Sequence, residues 1–129
     1  MNIIISYTSV YPSHLKDSIY LGRGKNNPFP LLSNNWSHKS GTKATYQVSS
    51  IEQAVFCFKD NLFRCTKEDK EGYREQLRGL YELSLLKNKE YGRVVYLCWC
   101  KDEFNPKSWH HSCHCEVLRD VILTKHKSN

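Results

Sequence analysis

The sequence predicts a small single-domain α/β fold, a sheet at least partly parallel flanked by about three helices, spanning residues 1–129. Three observations predict it. Two apolar runs, Ile3-Ile4-Ile5 and Val94-Val95-Tyr96-Leu97-Cys98-Trp99, suit strands buried on both faces. Apolar stripes at helical spacing occupy the stretch between them and the end of the chain. The resulting order, strand-strand-helix-helix-strand-helix, is that of a two-layer or three-layer α/β domain.

Each element has a local reason. Ile3 to Val10 is rich in β-branched residues and reads as a strand ended by Pro12 and Ser13. Ile19-Tyr20-Leu21 is a short second strand stopped by Gly22 and Gly24. Lys25 to Gly41 carries Asn, Pro, Ser and Gly and reads as a long loop, with Phe29, Leu31, Leu32 and Trp36 to pack it. Ser49 with Glu52 three residues on forms a capping box, which opens a helix striped by Ile51, Ala54, Val55, Phe58 and Leu62. That capping role accounts for Glu52 without a general-base function. Cys65 to Lys70 is a charged break. A second helix follows from about Glu71 to Lys87, with Tyr73, Leu77, Leu80, Tyr81 and Leu85 on one face. Gly79 weakens it by about 1 kcal/mol relative to Ala. Asn88 to Gly92 is a turn, Arg93 to Cys100 a central strand, and Lys101 to His111 a loop holding Pro106. Ser112 caps a last helix striped by Val117, Leu118, Val121 and Ile122.

Composition narrows the class. Of the 129 residues, 40% are apolar or aromatic and 25% charged, which supports one modest core and excludes wholesale disorder. No apolar run reaches the roughly 18 residues of a membrane span. The start, Met1-Asn2-Ile3-Ile4-Ile5, lacks the basic segment and cleavage site of a secretory leader, so the expectation is a cytoplasmic protein with no membrane partner. In that compartment all six cysteines are expected reduced or metal-bound. The formal charge of +6 favours an anionic partner, although it serves solubility equally well.

Chemistry-bearing residues concentrate in two places. Cys98-Trp99-Cys100 and Cys113-His114-Cys115, with His110 and His111, bring thiols and imidazoles of the kind that zinc takes. The metal set would be Cys98, Cys100, Cys113 and Cys115. The spacing opposes it, because Cys98 and Cys100 in a strand would sit roughly 6.6 Å apart at Cα. Packing of the first pair in the core is the competing reading. Cys113 and His114 also open a helix, where free N–H groups bind anions and activate thiols. The second place is Leu21-Gly22-Arg23-Gly24-Lys25-Asn26-Asn27, glycines and cations that can cradle phosphate or form a plain turn. It is not a P-loop. Ser40-Gly41-Thr42-Lys43 is a smaller basic loop of the same kind.

Together Ile19-Tyr20-Leu21-Gly22-Arg23, Asn27-Pro28-Phe29, Val48-Ser49, Val95-Tyr96-Leu97-Cys98-Trp99-Cys100 and Cys113-His114-Cys115-Glu116-Val117-Leu118 resemble the phage and bacterial domain of unknown function 4326. Asn26 stands where that family has Gly, and Cys115 follows the Cys-His pair. The resemblance implies a small α/β domain and, from its phage occurrence, a role between phage and host.

The leading functional expectation is binding, sequestration or processing of a small phosphorylated, nucleotide-type ligand. Its site would comprise Arg23, Gly24, Lys25, Asn26, Asn27, Lys43, Cys113 and His114. If the Ile19 and Val94 strands run parallel, the Arg23 loop and the Cys113-His114 helix start share one sheet edge, with Phe29 or Trp36 to cover a base. That ligand requires no cofactor. The alternatives are a zinc-stabilised module binding nucleic acid or a host protein, and a small Cys/His hydrolase or transferase. The sequence leaves enzymatic activity and oligomeric state open.

Overall fold

The computed structural model describes residues 1–8, 11–12, 15–37, 44–98 and 113–128. Its elements are β1 (Ile3–Tyr7), β2 (Ser18–Tyr20), β3 (Trp36–Ser37), β4 (Tyr46–Gln47), α1 (Ile51–Glu68), α2 (Tyr73–Tyr91), β5 (Val94–Cys98) and α3 (His114–Ser128). The fold is a small α/β domain. β5 lies between β1 and β2, and both pairings are parallel. Ile3 faces Val94 and Tyr7 faces Cys98, while Ser18 faces Val95 and Tyr20 faces Leu97.

β5 is buried along all five residues, as its unbroken apolar run requires. Alternation divides its side chains between two faces. Val94, Tyr96 and Cys98 join Ile3 and Ile19 in a core that all three α-helices share. Val95 and Leu97 join Tyr20 on the other face, with Tyr11 packed against them. Among the described residues, the helices therefore cover one face of the sheet.

Element limits differ from the sequence expectation where hydrogen bonds decide them. β1 stops at Tyr7, and residues 9 and 10 lie outside the described set. The second strand is Ser18–Tyr20, although the Leu21 N–H still donates to Leu97 O at 2.8 Å. The long loop contains a 3-10 turn at Pro30–Leu32 and the strand β3, which pairs parallel with β4. Side-chain amides hold it. Asn27 Nδ2 donates to Gly22 O (3.0 Å) and its Oδ1 accepts from Phe29 N (2.7 Å). Asn34 Oδ1 accepts from Trp36 N, and Gln76 Oε1 on α2 accepts from Leu31 N, both at 2.9 Å. Buried Asn27 and Asn34 thus give the loop the backbone partners that a sheet would otherwise supply.

The cap of α1 is Ser50, not Ser49. Its side chain accepts from Gln53 N at 3.1 Å, and Gln53 Oε1 reaches back to Ser49 N at 2.9 Å. The cap thus lies one residue later than expected, the return bond from Gln53 lands on Ser49, the residue before it, and Glu52 takes no part. α1 runs to Glu68, and the break is narrower than expected. Asp69 and Glu71 adopt φ of 54°, and Arg74 donates to the carbonyls of Thr66 and Lys67 at the end of α1. α2 begins at Tyr73 and continues through the expected turn to Tyr91. It ends at Gly92, whose N–H returns to Asn88 O at 2.9 Å.

Candidate metal centre at the carboxyl edge of the sheet

Cys98 is the last residue of β5, Cys113 immediately precedes α3, and Cys115 is the second residue of α3. Parallel pairing sets the carboxyl end of β5 beside that of β2, and the first turn of α3 returns to this edge. The three cysteines are buried, and their sulfur atoms lie within 4.8 Å of one another. Cys98 Sγ and Cys113 Sγ are 2.9 Å apart. Cys115 N donates to Cys113 Sγ at 3.4 Å, the geometry of a side-chain acceptor at a helix start.

His114 is enclosed between these cysteines and β2. Its Nε2 lies 2.7 Å from Leu21 O, and its ring meets Phe58 edge-on at 5.1 Å. A carbonyl accepts only, so Nε2 carries the proton and donates. Burial lowers the imidazole pKa below its ordinary 6.5, the Cys98 sulfur and the Leu21 carbonyl oppose that shift, and Arg23 adds to it. Neutral His114 is consistent with both its enclosure and its hydrogen bond.

The Gly22–Asn27 loop leaves β2 at the same edge. Much of it is internally committed. An added Cβ at Gly22 would overlap the Tyr20 phenol, whose hydroxyl donates to Arg23 O at 2.8 Å. Arg23 Nη1 donates to Asn34 O at 2.7 Å. Asn27 is buried in its own turn, whereas Gly24, Lys25 and Asn26 are exposed. Lys43 and Cys100 lie outside the described residues, as do His110, His111 and Ser112.

The structure therefore brings together Cys98, Cys113 and Cys115 from the sequence-derived metal set. It brings Arg23 and His114 to one end of the sheet. The residues not anticipated are Leu21, whose carbonyl receives His114, and Asn34, whose carbonyl receives Arg23. Backbone acceptors leave no side-chain signal in a sequence. A cavity of about 240 Å³ lies elsewhere, between α1 and α3, lined by Lys59, Phe63, Val117, Asp120, Val121 and Thr124.

In comparisons with known proteins, no family model matches the chain, and neither a curated protein nor a solved structure matches it. Among the described residues, no helix is long and apolar enough to cross a membrane.

Proposed function

We propose that this chain is a zinc-stabilised α/β binding module. The observation that carries the reading is the convergence of Cys98, Cys113 and Cys115, three buried sulfurs within 4.8 Å. Three soft thiolates suit zinc, and sulfurs bound tetrahedrally at about 2.3 Å from the ion lie about 3.8 Å apart. The 2.9 Å separation of Cys98 and Cys113 and the 4.8 Å limit of the trio bracket that spacing. The ion would tie the end of β5 to the first turn of α3 and leave one position for a further ligand. Metal analysis of the chain purified without a histidine tag tests this. We expect about one zinc per chain, lost on Cys98→Ser or Cys115→Ser. A metal-free chain that keeps its fold in the presence of zinc would reject the reading.

A second reading uses the same edge: a small phosphorylated, nucleotide-type ligand held by the Arg23–Asn27 loop. The adjacency of that loop to His114 favours it, because a helix start adds N–H donors to the charge of Arg23 and Lys25. A thermal-shift screen with nucleotides tests it, with Arg23→Ala expected to weaken binding by about 1.5–3 kcal/mol. Steep salt dependence with DNA or RNA would instead indicate a nucleic-acid partner. Membership of the domain of unknown function 4326 is part of the proposal and rests on the motifs quoted above.

A further inference from the structure

We propose that Cys98 and Cys113 are a redox-active dithiol whose oxidation empties the metal site. The inference rests on the zinc reading for its consequence and on the sulfur geometry for its chemistry. The two sulfurs lie 2.9 Å apart, well inside the 4.8 Å that spans the trio. A disulfide requires a further approach of only roughly 0.9 Å. The backbone positions are set independently of any bond between the sulfurs. Cys98 is held by pairing of β5 with β1, and Cys113 by Glu116 N, which donates to its carbonyl at 3.0 Å. Cys115 N donates to Cys113 Sγ, a contact that suits a negatively charged sulfur.

The oxidant is a low-molecular-weight disulfide such as glutathione disulfide, which reaches the two buried sulfurs when this edge opens locally. Cys113 Sγ attacks one sulfur of this disulfide, its S–S bond breaks, and one external thiolate leaves. Cys98 Sγ then attacks Cys113 Sγ in the mixed disulfide, and the second external thiolate leaves. Both leaving thiolates take protons from solvent. The two protein sulfurs are oxidised by two electrons in total, and the external disulfide is reduced to two thiols. Two of the three metal donors are thereby consumed. Zinc departs to water, and Cys115 keeps a single thiol.

The test titrates the full-length, zinc-loaded chain with glutathione disulfide. A chromogenic chelator reads zinc release, and alkylation followed by peptide mass mapping reads connectivity. We expect about one zinc released per Cys98–Cys113 disulfide, with uptake restored by dithiothreitol. Cys115→Ser should form the same disulfide, which separates the reactive pair from the third sulfur. Oxidation that leaves Cys98 and Cys113 alkylatable, or that joins either one mainly to another cysteine, overturns the inference while leaving the zinc reading intact. A reduced chain that takes up no zinc defeats the zinc reading and, with it, the gating. The peptide map then still decides whether the two cysteines are a reactive pair.

Discussion

The ring of Phe29 lies against the α2 backbone at Gly79, where an added Cβ would sit 2.7 Å from Phe29 Cε1. The glycine that weakens the helix locally is the point at which the long loop docks onto it. Helix propensity alone would make Gly79→Ala stabilising by about 1 kcal/mol. Overpacking against a ring costs about 1–3 kcal/mol, so we expect a net loss of about 1 kcal/mol. Shrinking the ring by Phe29→Leu should reverse the sign of the Gly79→Ala effect. Urea denaturation of the four members of the cycle measures it, and equal effects in both backgrounds would refute the docking explanation.

Ser84 on α2 and Tyr96 on β5 share a hydrogen bond of 2.6 Å, and both residues are fully buried. Burial pushes the Tyr96 phenol well above its usual range, so the neutral hydroxyl is the form present. Tyr96→Phe leaves the Ser84 hydroxyl without this partner and should cost about 1–3 kcal/mol. Adding Ser84→Ala should recover part of that loss. A double variant no more stable than Tyr96→Phe would contradict it.

Asp17 accepts from the Tyr11 hydroxyl at 2.5 Å and from Arg93 Nε at 2.9 Å. The Tyr11 hydrogen bond, then Arg93, hold its carboxyl below the ordinary value of 3.8, against the opposing effect of burial. The folded chain therefore binds the proton less readily than the unfolded chain. The resulting stabilisation is complete above the unfolded value and is lost as pH falls from about 4 through the lower folded value. Asp17→Asn should cost about 1–2 kcal/mol at neutral pH, an amount limited by the half-exposed Arg93, and less near pH 2. Stability curves against pH for both proteins check this, and parallel acid limbs would rule it out.

Zinc should stabilise the fold by mass action, by about 2.7 kcal/mol when free ion is roughly 100 times its Kd. Chelation should lower the thermal midpoint of the wild-type chain. It should leave that of Cys98→Ser nearly unmoved, because that variant has already lost a ligand. Equal chelator sensitivity in the two proteins would place any stabilising ion elsewhere.

The sequence by itself determined the α/β class, the apolar faces of α1, α2 and α3, and the burial of β5. These depend on periodicity within one segment, which sets which side of an element is apolar whatever it later packs against. It also raised Cys98, Cys100, Cys113 and Cys115 as an alternative metal set, since cysteines so concentrated are visible without a fold, although the strand spacing of Cys98 and Cys100 opposed it. It misplaced the α1 cap by one residue, because Ser49 and Ser50 both have an acid or amide three residues on, and only the backbone geometry selects between them. Tertiary structure decided the rest. The register of β5 between β1 and β2 put the end of β5 beside the end of β2. That pairing, with the packing of α3, gives His114 its partner at Leu21 and brings Cys98 within 2.9 Å of Cys113. Such distances join segments far apart in the chain, and no local pattern encodes them. The strand ladder and the helix packing set them together.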